Sequence, residues 1–220
     1  TYVVPVSAAH RLPAGLPAAR AVLAANVETA LNGLWDAGVL AGDRVCVIGA
    51  GVVGCLVAWL AARVPGCEVQ LIDVQRARAG IAAELGVPFA TPGEAGGEAD
   101  VVIHCSGTPA GLAQALQLAA FEARIVEMSW YGDRTVPLPL GAEFHSKRLQ
   151  LRSSQVGHVA PAQRARWNHR RRLELALRLL ASAPELEALI SGEDDFTALP
   201  QRMPQLCESA GTVLCHRIRY

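Results

Sequence analysis

A glycine-rich turn between two apolar segments constrains the fold of this chain more than any other feature. Residues 44–54 read RVCVIGAGVVG, an apolar run with helical spacing follows, and residues 68–73 read EVQLID. This order predicts a strand, a tight turn, a helix and a second strand that ends in an acid. Repetition of such units builds a parallel sheet with helices on both faces.

The three glycines of this turn have separate physical functions. Gly49 permits a tight turn out of the strand, Gly51 lets a pyrophosphate approach the backbone, and Gly54 lets the helix lie close to the sheet. The helix that begins near Gly51, with Val52 and Val53 in its first turn, directs free amide groups and the positive end of its dipole at the phosphates. The turn therefore predicts a dinucleotide-binding site. The alternative is a glycine-rich turn in an α/β domain that binds no nucleotide.

An acidic residue at the end of the second strand indicates which dinucleotide would bind. Asp73 follows Gly54 by 19 residues, and its carboxylate can accept hydrogen bonds from the hydroxyls of the adenosine ribose. A 2′-phosphate about 4 Å from that carboxylate would cost roughly 1 to 4 kcal/mol per charge pair. Asp73 therefore favours NAD(H) over NADP(H).

Composition excludes several other classes of function. The 220 residues are 51% hydrophobic and only 18% charged, and their formal net charge is zero. The chain can bury a large core, but it has no overall field to attract nucleic acid or an anionic membrane. The six cysteines form no CxxC pair, and the apolar stretch 51–62 is too short to cross a bilayer. We therefore expect a soluble cytoplasmic protein with reduced thiols and with neither a nucleic-acid nor a membrane partner.

The remaining segments extend the same pattern into a doubly wound parallel sheet of the α/β class. Proline in the short segment 87–90 suits an edge strand, and the continuous apolar run 99–105 suits a strand covered on both faces. We interpret His104, inside that run, as a hydrogen-bonded core histidine. Further strands are predicted at 44–48, 68–73, 123–129, 149–155 and 212–220, and helices at 18–37, 51–62, 75–85, 112–120, 170–181 and 200–209.

Several stretches, in this order and spacing, resemble the cofactor-binding half of the medium-chain dehydrogenase/reductase family, the relatives of zinc-type alcohol dehydrogenases. Each stretch is a weak match alone, but together they cover nearly the whole chain and make the resemblance specific. The stretches are LPAARAVL at 16–23, AGVLAGDRV at 37–45, AELGV at 83–87, CSGTP at 105–109, FHSKRL at 144–149, SSQVG at 153–157 and GTVLCHRI at 211–218.

This resemblance implies a Rossmann-type fold and an NAD(H)-dependent oxidoreductase that transfers a hydride between nicotinamide and a small alcohol or carbonyl substrate. It implies that Arg78 reaches the adenosine ribose, although an exposed helix charge would also fit. Ser106 and Gly107 follow one strand, and Ser129 and Trp130 follow the next. All four would lie beside the cofactor. Alternatively, Ser106 and Gly107 would belong only to a helix start, and Ser129 and Trp130 to an aromatic plug between domains. By analogy, a homodimer would form through a sheet edge near 136–140.

Two departures from the family pattern limit what the chain would do alone. The family carries a catalytic domain before the cofactor domain, and here residues 1–24 resemble only its end. Residues 25–157 would form the dinucleotide-binding domain, and residues 158–220 would return towards the catalytic domain. We therefore expect a fragment with little or no turnover, and no catalytic residue is identified. Ala25 stands at a usual zinc-ligand position, so either Glu28 replaces that ligand or the intact protein has a zinc-free site.

Two other functions remain open from the sequence. The first is a non-catalytic module that binds or senses NAD through the glycine turn and Asp73. The second is a zinc-free quinone or enone reductase that uses NADPH, which Asp73 disfavours because of its charge.

Overall fold

The fold is a six-stranded parallel sheet with helices on both faces, seen in a computed structural model that describes residues 3–208 and 213–220. The spatial order of the strands is β3-β2-β1-β4-β5-β6, and every pairing is parallel. The strands are β1 (Arg44–Ile48), β2 (Glu68–Ile72), β3 (Phe89–Ala90), β4 (Ala99–His104), β5 (Ala119–Glu127) and β6 (Gln150–Ser153). The chain reverses direction across the sheet between β1 and β4, so the predicted doubly wound, Rossmann-type fold is confirmed.

Seven α-helices accompany the strands in the described ranges, together with short 3₁₀ and π segments. The helices are α1 (Ala18–Ala21), α2 (Ala24–Ala37), α3 (Val52–Ala61), α4 (Ala79–Glu84), α5 (Pro109–Leu118), α6 (His169–Ser182) and α7 (Leu199–Glu208). The helices predicted at 18–37 and 75–85 are both interrupted in the structure. The first is divided into α1 and α2, and the second begins with a 3₁₀ turn at Arg76–Arg78 before α4. Within the described ranges, no helix is long and apolar enough to cross a membrane.

Two apolar cores lie on opposite faces of the sheet because side chains alternate along each strand. On β1, Val45 and Val47 join the core that includes α2, α3 and α6, whereas Cys46 and Ile48 join the core beneath α5. Each core therefore holds the central strands at a fixed position relative to its helices. The loops at the carboxyl ends of these strands are therefore anchored to a rigid part of the fold.

The last part of the chain departs from the sequence-based prediction. A second, two-stranded parallel sheet pairs β7 (Ile190–Asp195) with β8 (Cys215–Arg219). The sequence predicts β8 but not β7, because ISGEDD is polar and shows no apolar alternation. Three of these predictions extend beyond the described residues. Residue 209 of the predicted last helix, residue 212 of the predicted final strand, and residues 211 and 212 of the family stretch lie outside them.

The sheet edge predicted near 136–140 is wrong in its location. Those residues form no strand, and Val136 and Leu138 pack instead against the core beneath α5. The strand at this margin of the sheet is β6, which pairs only with β5. At this margin of the sheet, a partner strand would therefore add at Gln150–Ser153.

The cysteines supply a first prediction about the fold. Cys46 and Cys55 are buried thiols, and burial raises the pKa of the Cys46 thiol to about 11 and that of the Cys55 thiol to about 12. Cys207 is exposed on α7. At pH 8 we expect a thiol reagent to modify Cys207 first and Cys55 only after denaturation, as measured by peptide mapping. A Cys207→Ser variant should lose the fast phase, and equal labelling of Cys55 and Cys207 in the native protein would contradict this packing.

Candidate cofactor-binding site

The glycine turn after β1 has the geometry that the sequence predicts for it. Gly49 has φ +104°, and a Cβ placed there would lie 2.7 Å from the Cα and N atoms of Ser106. A Cβ on Gly54 would lie 1.8 Å from the carbonyl oxygen of Gly49. A Cβ on Gly51, in contrast, would meet no described atom within 4 Å. Gly49 and Gly54 are therefore required by the protein's own packing, whereas the bareness of Gly51 leaves open space in front of the backbone.

Helix α3 begins at Val52 with its amino end against this open space. Gly51 is the N-cap residue and supplies no side-chain hydrogen bond, and the first helical bond runs from the Cys55 amide to the Gly51 carbonyl oxygen at 2.9 Å. The amides of Val52, Val53 and Gly54 therefore have no partner within the helix. An anion at this place would meet several amides and the positive end of the helix dipole.

The carboxylate of Asp73 is fixed beside the same turn. Its Oδ2 accepts a hydrogen bond from the Ala50 amide at 2.7 Å, and its Oδ1 accepts one from the Gln75 amide at 2.8 Å. Each carboxylate oxygen can accept a second hydrogen bond. Asp73 therefore ties the end of β2 to the glycine turn and still has acceptor capacity towards the cleft.

A cleft of about 870 Å³ brings together five of the residues that the sequence singles out. It lies at the carboxyl ends of β1, β2 and β4, where open α/β sheets bind their ligands. The five residues that line it are Gly49, Gly51, Asp73, Arg78 and Ser106. A second cleft of about 500 Å³ lies at the opposite edge, near Arg44 and Glu68, where none of the predicted site residues is found.

Arg78 differs from the exposed helix charge that the sequence left as an alternative. It is only 8% exposed and lies in the turn that precedes α4. The nearby Arg76 is exposed and pairs with Glu94. The structure therefore keeps Arg78 at the wall of the cleft and Arg76 at the surface.

The residues after β4 and β5 are joined to each other, although Gly107, Ser129 and Trp130 do not line the cleft. The Gly107 amide donates to Ser129 Oγ at 3.0 Å, and the Ser129 amide donates to Glu127 Oε1 at 2.6 Å. Trp130 is 90% exposed, so within the described residues it does not plug a gap. These contacts tie the ends of the two strands into one polar surface.

Sequence analysis identified His104 as a core residue but missed what it connects. His104 is fully buried, and its Nδ1 lies 2.7 Å from Glu127 Oε2 while its Nε2 lies 2.6 Å from Ser106 Oγ. The phenol of Tyr131 also donates to Glu127 Oε2, at 3.2 Å. The interpretation of His104 as a hydrogen-bonded core histidine is confirmed. The available signal was one polar residue at the same end of two adjacent apolar strands, since His104 and Glu127 are register partners.

The titration of this group follows from its contacts. Burial raises the pKa of Glu127. The hydrogen bond and charge of His104, together with the Ser129 contacts, lower this pKa by more than burial raises it. The pKa of Glu127 therefore lies below its ordinary value. Burial and the neighbouring Glu127 raise the pKa of Tyr131 to about 12. At neutral pH Glu127 is therefore a carboxylate and Tyr131 a neutral donor.

Glu28, which could replace the zinc ligand missing at Ala25, makes a structural contact in the fold. Glu28 Oε1 accepts a hydrogen bond from Nε of the buried Arg172 at 3.1 Å, and Ala25 lies one turn earlier on α2. Among the described residues, no group of three His, Cys, Asp or Glu side chains is arranged to hold a metal ion. Glu28 is thus committed to an ion pair inside the fold.

Comparison with known proteins finds relatives among dehydrogenases. No protein-family profile matches the chain. It is 28% identical over 173 residues to a 2-dehydro-3-deoxy-L-galactonate 5-dehydrogenase from Pseudoalteromonas atlantica, which covers 73% of this chain and 49% of that protein. It is 30% identical over 141 residues to an uncharacterized zinc-type alcohol dehydrogenase-like protein from Haemophilus influenzae, with 59% and 41% covered. The chain thus spans about half the length of the curated relatives it matches.

Solved structures give the same result for the fold. L-idonate 5-dehydrogenase from Escherichia coli matches with a TM-score of 0.84 at 20% identity, over 100% of this chain and 62% of that chain. A 2R,3R-butanediol dehydrogenase from Bacillus subtilis matches with a TM-score of 0.78 at 17% identity, over 96% and 60%. The six-stranded parallel sheet with helices on both faces is a Rossmann-type α/β architecture. Within that class, the chain is similar to zinc-type alcohol dehydrogenase-like and sugar dehydrogenases, so the resemblance to medium-chain dehydrogenases is confirmed.

Proposed function

We propose that this chain is the cofactor-binding part of an NAD(H)-dependent oxidoreductase of the medium-chain family. The proposed reaction is hydride transfer between nicotinamide and an alcohol, polyol or carbonyl substrate. One observation carries the proposal: the bare backbone at Gly51 and the carboxylate of Asp73 face the same cleft at the switch point of the sheet. The relatives whose names refer to sugar acids and a diol support the polyol class of substrate.

The residues present fit a dinucleotide in a definite orientation. The pyrophosphate would lie at the amino end of α3 against Gly51, Val52 and Val53, because Gly51 has no Cβ and no side chain of the described residues caps this helix end. The adenosine ribose would bind Asp73, with Arg78 at the wall of the cleft. The nicotinamide would then extend towards the strand ends that carry Ser106, Gly107, Ser129 and Trp130.

Catalysis in such a protein is divided between cofactor and chain. The nicotinamide supplies the hydride chemistry when it is bound. The chain's own residues bind the diphosphate, fix the ribose and hold the cofactor in one orientation, which lowers the entropic cost of reaching the reactive geometry. A group that manages charge on the substrate oxygen is also required, and none is assigned among these residues.

Asp73 gives a prediction about cofactor choice. We expect the chain to bind NADH at least about tenfold more tightly than NADPH, because a 2′-phosphate carries about −1.5 to −2 charges and each charge pair with the carboxylate costs roughly 1 to 4 kcal/mol. An Asp73→Asn variant keeps the size of the side chain but removes its charge and leaves one oxygen to accept from either the Ala50 or the Gln75 amide, because the amide nitrogen only donates. Its NADH affinity should fall and the NADH preference should shrink to about threefold or less in fluorescence titrations.

The matched control is Asp100→Asn, which removes a carboxylate at the opposite end of the sheet, where Asp100 pairs with Arg44. That variant should keep the wild-type preference. An Asp73→Asn variant with an unchanged NADH to NADPH ratio would exclude Asp73 as the discriminating group, and a wild-type chain that bound NADPH more tightly than NADH would favour the NADPH-dependent reductase. A putative zinc-binding dehydrogenase from Sinorhizobium meliloti with a similar fold is described as bound to NADP, so NADP binding itself has a precedent among similar folds.

We further propose that the intact protein has a zinc-free site, that the isolated chain turns over little substrate, and that dimers form through the margin strand β6. The ion pair of Glu28 with Arg172 supports the proposal of a zinc-free site.

The chain is proposed to divide into three parts: a lead-in at 1–24, the cofactor domain at 25–157 and the returning segment at 158–220. Robust alcohol oxidation by the isolated chain would contradict the proposal that it turns over little substrate. NADH binding without turnover in the complete protein, across a panel of polyols, would favour the non-catalytic NAD-binding module.

A further inference from the structure

We propose that Ser106, His104 and Glu127 form a second reactive site, in which Ser106 is a nucleophile that takes an acyl group from an activated ester when the cleft holds no dinucleotide. This inference does not rest on the proposed oxidoreductase function. It rests on the order and distances of three side chains at the carboxyl ends of β4 and β5.

The three side chains form a continuous hydrogen-bonded chain. Ser106 Oγ lies 2.6 Å from His104 Nε2, and His104 Nδ1 lies 2.7 Å from Glu127 Oε2. A carboxylate only accepts hydrogen bonds, so Nδ1 of a neutral His104 must donate to it and Nε2 must accept from the Ser106 hydroxyl. This is the direction of donation in which imidazole acts as the general base for a serine.

The carboxylate at the end of this chain is held in place by several donors. Glu127 accepts hydrogen bonds from the Ser129 amide at 2.6 Å and the Tyr131 phenol at 3.2 Å, in addition to His104. Its side chain is only 12% exposed, so its charge is weakly screened. Glu127 therefore fixes the orientation of the fully buried imidazole and stabilises the imidazolium that forms when Ser106 reacts.

Space for the serine–histidine contact exists because residue 111 is glycine. A Cβ on Gly111 would lie 2.4 Å from Ser106 Oγ and 2.7 Å from His104 Nε2. Gly111 lies inside α5, where alanine would be favoured by about 1 kcal/mol in a helix free of such contacts. The chain gives up this helix propensity at the one place where a methyl group would separate the two polar atoms.

Ser106 is also placed where a developing negative charge would be stabilised. It is partly exposed, lines the cleft and lies between the glycine turn that precedes α3 and the start of α5. The other polar contacts of Ser106 Oγ are with Thr108 Oγ1 at 2.9 Å and with the Thr108 amide at 3.4 Å. The positive dipole ends at the amino ends of α3 and α5 would favour the negative charge that develops on the acyl oxygen of an ester bound at Ser106.

The proposed step balances as an ordinary acyl transfer. Ser106 Oγ bonds to the ester carbonyl carbon while its proton passes to His104 Nε2. Collapse of the tetrahedral adduct breaks the bond to the leaving alcohol or phenol, which takes the proton from His104 or leaves as the phenolate. Water then attacks the acyl-serine in the reverse sense and releases the carboxylic acid. While the acyl group is present, it occupies the cleft in front of the glycine turn.

The test uses p-nitrophenyl acetate and the full chain without cofactor. We expect an acetyl adduct on Ser106 in peptide maps and a nitrophenol release rate that falls at least tenfold in Ser106→Ala. The matched control is Ser146→Ala, because Ser146 is an exposed serine that donates to the Ala142 carbonyl oxygen, far along the chain from the cleft. An adduct on another residue, or equal release rates for the wild type and Ser106→Ala, would overturn the proposal.

Two further variants separate reactivity from folding. Gly111→Ala keeps all three polar residues but pushes the Ser106–His104 pair apart, and Glu127→Gln keeps the shape of the side chain but removes its charge. Both should slow acetylation of Ser106 at least tenfold while the circular dichroism spectrum stays that of the wild type. Unchanged acetylation in both folded variants would show that the polar chain is only structural. NADH should protect Ser106, whereas acetylation without NADH protection would leave this proposal intact and contradict the cofactor site.

Discussion

Replacing Gly54 with alanine is expected to abolish NADH binding and to destabilise the fold by about 1–3 kcal/mol or more. The added Cβ would lie 1.8 Å from the carbonyl oxygen of Gly49, which belongs to the backbone and cannot rotate away as a side chain would. Helix α3 would have to lift from the turn and carry its amino end out of the cleft. Urea unfolding should report the loss of stability, and a fluorescence titration should report the loss of binding.

Two other glycines make this result interpretable. Gly51→Ala meets no described atom within 4 Å, so its stability should match that of the wild type while its NADH affinity falls, because only a ligand would occupy that space. Gly80→Ala, on the exposed side of α4 and equally unobstructed, should change neither binding nor fold beyond a small gain in helix stability. If Gly54→Ala bound NADH as the wild type does, the close contact of helix and turn would not support the cofactor site.

The second large effect is expected at Arg172, a buried cation between α6 and α2. Its side chain donates to Glu28 Oε1 at 3.1 Å, Asn32 Oδ1 at 2.7 Å and the Val156 carbonyl oxygen at 2.7 Å, and the residue is 3% exposed. Arg172→Met leaves the Glu28 charge without its partner and the Val156 carbonyl oxygen without the Arg172 donor, while Asn32 Oδ1 keeps only the hydrogen bond from the Ala160 amide at 3.1 Å. We expect a loss of about 3–5 kcal/mol in the free energy of unfolding.

Arg170 provides the control for this prediction because it lies on the same helix. It pairs with Glu174 on the exposed surface of α6, where such pairs contribute about 0.5 kcal/mol or less. Arg170→Met should therefore leave the urea midpoint almost unchanged. A midpoint for Arg172→Met equal to that of Arg170→Met would contradict the view that this cluster joins α6 to the sheet domain.

The sequence contained enough information for the fold and for the centre of the site. The spacing of Gly49 and Gly54 indicates a particular turn, because the positive φ of Gly49 and the contact of a Gly54 Cβ with the Gly49 carbonyl oxygen are requirements local in the chain. Asp73 could be placed for the same reason, since it directly follows a strand with clear apolar periodicity. Backbone conformation at the glycines and apolar periodicity along the strands both leave a pattern in the sequence, and these two features determine the glycine turn and the strand that ends at Asp73.

Contacts that depend on register or on tertiary burial could not be predicted. The pairing of His104 with Glu127 requires the alignment of β4 and β5, and residues 23 positions apart carry no local sign of it. The burial of Arg78, compared with the exposure of Arg76, depends on the orientation of the 3₁₀ turn Arg76–Arg78 in the folded chain. The sheet edge near 136–140 was placed by analogy, and packing of that segment against the core overrode it.

The most direct test of the central claim is a calorimetric titration of the folded 220-residue chain with NADH. We predict saturable binding at one site per chain, with the heat abolished in Gly51→Ala although that variant keeps the wild-type unfolding curve. A cooperatively folded wild-type chain that gave no heat with NADH, or a Gly51→Ala variant that bound as tightly as the wild type, would contradict the assignment of this cleft to a dinucleotide.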